Sequence, residues 1–424
     1  MKLALTSLAI LTLSALAFAQ LPDGTPSDLG EGVPAFKVRP GYRVTRAVAD
    51  AGAIKPSATQ QANGKRIRRG VRFLQFSPDG KTLFLSQSDA GSILALRDVN
   101  DAGEYQTVTV FVKDKPSAHG LDWHDGWLYF GQSAEGAVWR ARDTNGDGVA
   151  DDVENILPKN SIPAGGGHPF EGVLVTDKQL FVTCSDPTNM TDDLNSDRKR
   201  IYVWDFDGKA ATNRKVFVSG VRNVEKIRYR PGTPPDKPEI WGFDHGSDNF
   251  GGKWHENPRE KDQPITDLNP PEEFNLFVQD GFYGHPYLSG NRVPRPEFMD
   301  RPDLLELARK TIPPEWNVHA HWAVLGWTFL EKDYFPGQKG DVWFAAHGSW
   351  NSSKPVGACV QRLMFDQLTG KPCGSMTIVD CQGPGERRFA RPVDIAEAPD
   401  GTILFSSDEP GALYRISKSS KEGR

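Results

Sequence analysis

The sequence lacks the features that mark nucleic-acid-binding, membrane-spanning and helical proteins. Its 50 Lys and Arg residues do not outnumber its 55 Asp and Glu residues, so no basic excess is present to hold a nucleic-acid backbone or an anionic membrane. Beyond the N-terminus, no apolar run approaches the roughly 20 residues that a membrane-spanning helix needs. The 42 Gly and 32 Pro residues interrupt helices and serve turns, which argues against a helix bundle. We therefore expect no nucleic-acid partner, no membrane span and a chain of strands and turns.

Cysteine is also scarce, and its spacing excludes several kinds of site. No CxxC or CxxCH pair occurs, which excludes a zinc ribbon, a thioredoxin-like site and an attached c-type haem. HExxH, P-loop and G-x-S-x-G motifs are absent as well. Cys184 stands alone, whereas Cys359, Cys373 and Cys381 are close in sequence. An even number of cysteines permits disulfides in an exported chain, and the cluster favours one local bridge.

The first 19 residues have the pattern of a secretory signal peptide. Lys2 supplies a positive start, residues 3–16 form an apolar stretch, and residues 17–19 (Ala-Phe-Ala) resemble a small-residue cleavage site. The alternative interpretation is a buried N-terminal helix. We expect a protein that is secreted or periplasmic.

A repeating unit follows the N-terminal region. Each copy has a polar turn, an apolar strand, a second turn and an alternating strand, at a spacing of about 50 residues with one larger interval. The six copies begin near residues 77, 124, 176, 237, 340 and 399. This pattern is typical of an all-β, six-bladed β-propeller with antiparallel four-stranded blades. We predict a strap at residues 20–43 and a single propeller domain at 44–424, with an insertion at about 256–311.

Polar candidates for a site fall at the turns and strand ends of this repeat. Equivalent strand ends of a propeller lie on one face, and the loops there converge on the central channel. A lone histidine or arginine at such a turn most often satisfies a loop hydrogen bond or an ion pair, so each candidate alone is weak. As a set, they are His168, Arg222, Asn223, Gly246, Ser247, His321, His347 and Arg391.

Residues 143–154 match a calcium-binding loop, D-x-N-x-D-G-x5-E. In this pattern, oxygen atoms at alternate positions surround one cation, a glycine permits the tight turn and the final glutamate completes the sphere. The predicted flanks are strand and loop rather than paired helices, so the interpretation is a structural calcium, with a plain acidic hairpin as the alternative. The candidate ligands are Asp143, Asn145, Asp147, Val149, Asp151 and Glu154.

Taken together, the motifs resemble the soluble quinoprotein sugar dehydrogenases. These are the glucose, aldose-sugar and sorbosone dehydrogenases that use pyrroloquinoline quinone (PQQ), and the sorbosone type is the most similar. The motifs carrying the resemblance occur in the family's order: Gly165-Gly166-Gly167-His168, Ser219-Gly220-Val221-Arg222-Asn223, residues 239–248, Phe282-Tyr283-Gly284-His285-Pro286, residues 319–326, His347-Gly348-Ser349-Trp350-Asn351 and Arg391-Pro392-Val393-Asp394.

The resemblance implies that PQQ lies over the channel mouth, where a sugar is oxidised and electrons pass to an external acceptor. His168 matches the general base that takes the proton of the sugar's anomeric hydroxyl. Such a base needs a pKa near the working pH, which histidine supplies without large perturbation. Arg222 matches the arginine beside the reacting quinone oxygen, where its charge stabilises the reduced form, and Asn223 is its neighbour.

The resemblance also implies how the cofactor is held. Gly246 and Ser247 match the positions whose main-chain carbonyls bind the calcium ion of PQQ, a Lewis acid toward the quinone. Arg391 matches an arginine that holds a cofactor carboxylate. His321 and His347 lie in the remaining motifs and are assigned to cofactor binding.

The sequence therefore favours an exported PQQ-dependent oxidoreductase that acts on an aldose or related sugar. Two alternatives remain open at this point: a non-catalytic propeller that binds glycans or a protein, and a calcium-dependent, lactonase-like hydrolase. Asn189 and Asn351 each begin an N-x-S/T tripeptide, which is a glycosylation acceptor in a host that modifies such sites.

Overall fold

The computed structural model describes residue 21 and residues 26–55, 70–169, 171–234, 237–251, 264–385 and 387–420. The predicted signal peptide lies outside these residues. Within them, strands dominate, and the helices are short: α1 (Pro264–Leu268), α2 (Leu304–Lys310) and a 3-10 turn at Pro296–Phe298. None of the helices in these ranges has the length and hydropathy of a membrane span.

The strands follow the repeat that the sequence predicts. In chain order they are β1 (Asp28–Leu29), β2 (Lys37–Val38), β3 (Tyr42–Arg46), β4 (Leu74–Phe76), β5 (Leu83–Gln87), β6 (Ser92–Val99), β7 (Tyr105–Val112), β8 (Ala118–His124), β9 (Trp127–Gln132), β10 (Ala137–Arg142), β11 (Asp152–Leu157), β12 (Val173–Val175), β13 (Gln179–Cys184), β14 (Arg200–Phe206), β15 (Ala211–Ser219), β16 (Ile227–Tyr229), β17 (Ile240–Asp244), β18 (Glu272–Phe277), β19 (Gly281–Phe282), β20 (Leu288–Ser289), β21 (Val293–Pro294), β22 (Trp316–Val318), β23 (Val324–Phe329), β24 (Val342–Ala346), β25 (Cys359–Phe365), β26 (Pro372–Asp380), β27 (Pro392–Glu397), β28 (Ile403–Asp408) and β29 (Gly411–Lys418).

These strands form a six-bladed β-propeller of antiparallel four-stranded blades, which confirms the predicted fold class. Blades 1 to 3 are β4–β7, β8–β11 and β12–β15. Blade 4 is β16, β17, β18 and β22, and blade 5 is β23–β26. Blade 6 is β27–β29 completed by β3. From blade 5 through blades 6, 1, 2 and 3 to blade 4, the first strands of successive blades contact one another around the axis, so the first strands line the channel.

Apolar side chains from facing sheets fill the space between neighbouring blades. Between blades 4 and 5, Trp241, Phe274 and Trp327 pack in stacked and edge-on contacts with ring centroids 5.0 to 5.3 Å apart. Such pairs add to the burial of apolar area, the main stabilising contribution. Packing between neighbouring blades therefore stabilises the ring without apolar side chains in the channel. Polar groups can occupy the channel instead.

The N-terminal strands close the ring. β3 pairs with β29 as the outer strand of blade 6, and β1 pairs in parallel with β3. β2 pairs with β26 of blade 5, so one segment joins the last two blades. The boundary predicted at residue 43, between strap and propeller, falls inside β3.

Blade 4 differs from its predicted outline. The predicted insertion at about 256–311 contains β18, which is the third strand of the blade and pairs with β17. The strand is hard to recognise because Glu272 and Glu273 are buried in it, whereas acidic residues usually mark exposed loops. The segment that interrupts the blade is residues 278–315, between β18 and β22. It reaches over blade 3, where β19 pairs with β15.

Strand direction defines two faces. Because neighbouring strands of a blade are antiparallel, the loop before each first strand and the loop after each second strand lie at the same end, called the upper face here. The remaining hairpin loops lie on the lower face. Every candidate for cofactor chemistry falls on the upper face, whereas the predicted calcium loop, between β10 and β11, falls on the lower face.

The predicted local disulfide is not formed, and all four cysteines are free thiols. Cys359 packs between blades 4 and 5 and Cys381 packs on the other side of blade 5, so their side chains point apart. Cys373 lies at the far end of the β25–β26 hairpin, about 20 Å from Cys359 for six residues of strand. Closeness in sequence was misleading because the hairpin places Cys373 near its turn, away from Cys359 and Cys381, and directs the latter two to opposite faces of the sheet.

We expect thiol titration to give one accessible and three protected cysteines. Cys373 is exposed and the other three are buried, so a colorimetric thiol reagent should modify one group rapidly in the native protein. Four groups should react after unfolding in the absence of a reductant. A total of two in the unfolded protein would contradict this arrangement, because it would require a disulfide.

Candidate active site

The upper face carries a network of buried or half-buried polar side chains to which all six blades contribute. Its members, from blade 1 to blade 6, are Arg72, His119, Asp186, Arg222, His347 and Asp408 with their neighbours. Most of these groups precede a first strand or follow a second strand, as the repeat predicts. The structure thus brings residues separated by more than 300 positions to one surface.

At the centre of this network, Arg72 joins two carboxylates. Its Nη1 and Nη2 atoms donate to Asp408 at 2.6 Å and to Glu225 at 3.1 Å. Glu225 also lies 3.1 Å from His119 and accepts from Asn223 Nδ2 at 3.3 Å. Burial by itself raises the pKa of Glu225, but the hydrogen bond to His119 and the charge of Arg72 hold the pKa below its usual value. The carboxylate at the centre is therefore ionised.

Arg222 and Asn223 are held by their main chain as well as by their side chains. Their N–H groups donate to the carboxylate of Asp244 at 2.9 and 2.7 Å. The Asn223 amide donates to Nδ1 of His245 at 3.0 Å, because the Nε2–H of His245 is directed at the carbonyl of Val324, 2.7 Å away. Burial lowers the pKa of His245, which fits this neutral form.

His168 is presented by a glycine loop on blade 3. Gly166 has a φ of +97°, and a Cβ atom there would lie 2.7 Å from Cα of Pro187, so only glycine fits. The Nδ1 atom of His168 lies 2.8 Å from the main-chain oxygen of Asp186. A carbonyl only accepts, so Nδ1 carries the proton and Nε2 is the lone-pair nitrogen. Among the described residues, none is hydrogen-bonded to Nε2.

The environment of His168 differs from the mild one that the sequence predicts. Burial, followed by the positive charge of Arg222, lowers the pKa of His168 to about 3. The ring is therefore neutral throughout the physiological range, and Nε2 keeps its lone pair. Because the charge of Arg222 lowers the pKa of His168, Arg222 on blade 4 lies close to this ring.

Asp186 anchors this part of the site. Its carboxylate lies 2.9 Å from Nε2 of His285 and accepts hydrogen bonds from Thr191. Burial opposes ionisation of Asp186, but the contact with His285 holds its pKa well below the usual range. His285 belongs to the segment that crosses from blade 4, so this segment supports the loop of Asp186, whose main-chain oxygen contacts His168.

Gly246 and Ser247 follow β17 beside Arg222. In the described part of the chain, no hydrogen bond reaches the main-chain oxygens of these two residues. The Ser247 hydroxyl is occupied, because Nη1 of Arg295 donates to it at 2.5 Å. Two neighbouring carbonyls that accept nothing from the described residues form a suitable oxygen pair for a hard cation such as calcium.

Buried acids lie behind these carbonyls, in blade 4. Burial raises the pKa of Glu272 and Glu273 to about 8 and that of Asp244 to about 6. Glu273 accepts from the N–H of Gly290 at 2.6 Å. A cavity under the segment 278–315 is lined by Asp244 and Glu273 together with Arg222 and the buried Arg295.

His347 and Arg391 meet on the opposite side of the face. Nη2 of Arg391 lies 2.9 Å from Nδ1 of His347, whose Nε2 lies 2.9 Å from Asp408. Burial and the charge of Arg391 lower the pKa of His347 to about 4, although Asp408 opposes this. His347 therefore positions Arg391, and its own ring nitrogens are both occupied. Arg388, half-buried and bonded to Ser349, is a second cation here that the sequence did not single out.

Two predicted residues have other partners in the structure. His321 has a φ of +65°, and its Nε2 atom lies 2.6 Å from the carbonyl of Thr266, so it ties blade 5 to α1. Glu154, which was expected to complete the calcium sphere, pairs with Arg140 across the strands at 2.6 Å. A glutamate on a strand faces its cross-strand neighbour rather than the preceding loop.

The rest of the predicted calcium loop is stabilised by its own main chain. Asp143 accepts from the N–H groups of Gly146 and Gly148, and Asn145 accepts from the N–H of Asp147. Val149 donates to the carboxylate of Asp147, and Asp151 accepts from Thr144. In the described ranges, no three His, Cys, Asp or Glu side chains are grouped so that they could hold a metal ion.

Several residues of the site could not be found from the sequence. Arg72 and Glu225 stand in no motif, and their pairing joins positions 153 residues apart. Asn189 appeared only as a glycosylation acceptor, but it is buried, as is Asn351. The sequence signal that could have identified such residues is their place in the repeat, because they too lie beside its first or second strands.

The comparisons with known proteins agree with this architecture. Residues 306–419 match the family model described as TrAA12-like. A calcium structure of Trichoderma reesei Carbohydrate-Active Enzymes Family AA12 is similar with a TM-score of 0.71 and 17% identity, covering 93% of this chain and 99% of that one. The holo form of the pyranose dehydrogenase PQQ domain from Coprinopsis cinerea is similar with a TM-score of 0.68 and 18% identity, covering 92% and 100%. The resemblance to PQQ-dependent sugar dehydrogenases is thus confirmed, and at these identities what is shared is the fold.

A curated relative matches over a shorter range. An uncharacterised protein of Borreliella burgdorferi is 29% identical over 205 residues, which is 48% of this chain and 48% of the relative. The chain thus spans about half the length of the curated relative that it matches.

The buried acids of blade 4 should make the protein less stable as the pH rises. The folded protein keeps a proton on Glu273 up to about pH 8, whereas the unfolded chain loses it near pH 4.3. Stability from this difference is complete below pH 4.3 and is lost as the pH rises toward 8. Glu273→Gln keeps the acceptor for Gly290, so its melting temperature should decline less between pH 5 and 8.5. The exposed control Glu306→Gln should follow the wild type, and equal slopes for all three proteins would contradict this assignment.

Proposed function

We propose that this protein is an exported PQQ-dependent oxidoreductase that oxidises an aldose or a related sugar. The observation that carries the proposal is His168, whose unprotonated Nε2 lies on the same face as Arg222 and the two open carbonyls of Gly246 and Ser247. The solved structures with this fold include a PQQ domain of a pyranose dehydrogenase. Export is supported by the pattern of residues 1–19.

The residues present fit a flat, anionic, calcium-bound cofactor. Gly246 and Ser247 would hold the calcium ion through their main-chain oxygens, which accept nothing from the described residues. Arg391 and Arg388 would hold the cofactor's carboxylates from the other side of the channel. When bound, PQQ supplies a two-electron acceptor for the hydride that leaves the sugar.

The protein's own task in the reaction is to move a proton and to hold charge. His168 accepts the proton of the anomeric hydroxyl at Nε2 while its Nδ1–H remains on the carbonyl of Asp186, and the sugar becomes a lactone by losing this proton and a hydride. Arg222 remains a cation whose position is fixed by Asp244 and Asn189. Its charge stabilises the negative charge that develops beside it. The electrons leave to an external acceptor.

Reconstitution with PQQ and calcium tests this function. The purified protein should reduce a dye when an aldose is added, and the absorbance band of the reduced cofactor should appear. His168→Ala should lower kcat by about 10²–10⁴-fold, because it removes the base. PQQ affinity should change little, since the imidazole accepts its proton from the sugar.

His124→Ala is the matched control. His124 lies at the lower end of β8 and contacts the exposed Asp177, so this variant should retain wild-type activity. Absence of PQQ binding by the wild-type protein would overturn the proposal. Retained sugar binding in His168→Ala, without oxidation by the wild type, would favour the non-catalytic alternative, and lactone hydrolysis without PQQ would favour the hydrolase.

A further inference from the structure

Asn189 lies in the loop after β13, where it joins blades 3 and 4. Nη2 of Arg222 and the main-chain N–H of Asp248 both donate to its Oδ1, at 3.0 and 2.8 Å. Nε of Arg222 also donates to the main-chain oxygen of Asn189 at 3.0 Å. Asn189 thus accepts two hydrogen bonds from the guanidinium of Arg222 and one from the loop that contains Gly246 and Ser247.

The contacts of Oδ1 determine which way the amide faces. Arg222 and the N–H of Asp248 can only donate, so the amide oxygen must be on their side and the NH₂ group on the other. Asn189 is 7% exposed. Its Nδ2 atom is buried and finds no acceptor within the part of the chain that the structure describes.

A buried donor without an acceptor is unfavourable, and native structures contain few of them. A carboxylate at position 189 would avoid this cost and still accept from Arg222 and Asp248. The amide is therefore suited to an acceptor that the described residues do not supply, and a ligand bound beside Arg222 would provide such an acceptor.

We propose that Asn189 is a cofactor-binding residue, which positions Arg222 through its oxygens and donates a hydrogen bond from Nδ2 to an oxygen atom of the bound quinone cofactor. This inference rests on the proposed function. The cofactor, rather than the sugar, is the partner because Asn189 contacts Arg222 and the loop of Gly246 and Ser247, whereas His168 is held by Asp186.

The test compares variants in the absence and presence of PQQ. Asn189→Asp keeps oxygen acceptors for Arg222 and Asp248 but removes the donor. Its melting temperature without cofactor should equal or exceed that of the wild type, since a carboxylate also pairs with Arg222. Its affinity for PQQ, measured by fluorescence titration in calcium, should fall about tenfold or more, the effect of one lost hydrogen bond to a ligand oxygen.

Two further variants separate positioning from donation. Asn189→Ala removes the acceptor Oδ1 as well as the donor Nδ2, so it should lower the melting temperature and the PQQ affinity together. Asn155→Asp makes the same change of charge on the exposed outer strand of blade 2, where Nδ2 donates to Val138 and Leu157. Its PQQ affinity should equal that of the wild type.

The outcomes separate this inference from the function on which it rests. If the wild type binds no PQQ, both are overturned. If it binds PQQ and Asn189→Asp binds equally well, only the role of Asn189 is overturned. A variant with normal PQQ affinity and a raised KM for the sugar would assign the amide to the substrate, which also contradicts the proposal. If the melting temperature of Asn189→Asp falls as much as that of Asn189→Ala, the role of Asn189 is purely structural, which also contradicts the proposal.

Discussion

The arrangement of the polar side chains on the upper face depends on the ion pairs of the Arg72 guanidinium. This guanidinium is 2% exposed and lies between Glu225, before the first strand of blade 4, and Asp408, at the end of the second strand of blade 6. Removing Arg72 would leave two buried carboxylates without the cation that they share, which is strongly destabilising. From Glu225 the hydrogen bonds run to Asn223, and from Asp408 they run to His347. The two halves of the site are therefore held in one frame.

Different blades have different tasks within this frame. Blade 3 presents His168 from a glycine loop and fixes its tautomer with the main-chain oxygen of Asp186. Blade 4 supplies Arg222 and the open carbonyls of Gly246 and Ser247. Asn189 and the segment that crosses from blade 4 to blade 3 tie these two groups together. Placing His168 and Arg222 beside separate rigid sheets fixes their separation, because neither sheet can move without disturbing the packed aromatic layers.

The repeat made the propeller predictable, and the errors arose where local sequence and tertiary contacts disagree. Strand β18 was missed because Glu272 and Glu273 are charged in the sequence, yet burial favours their protonated forms. The cysteine bridge failed because Cys359 and Cys381 face opposite sides of one sheet. The metal role expected for Glu154 from its spacing remains a prediction, and in the structure the strand directs this residue to Arg140. Each of these outcomes depends on a partner that is distant in the sequence.

The sequence by itself determined the number of blades, their turns and the candidate residues at strand ends, because turn chemistry and alternating apolar residues are local properties. Only the tertiary structure decided which candidates meet, which nitrogen of His168 carries the proton and that Asn189 holds Arg222. The physical reason is that hydrogen-bond partners and pKa values are set by burial and by charges that the fold brings together from distant blades.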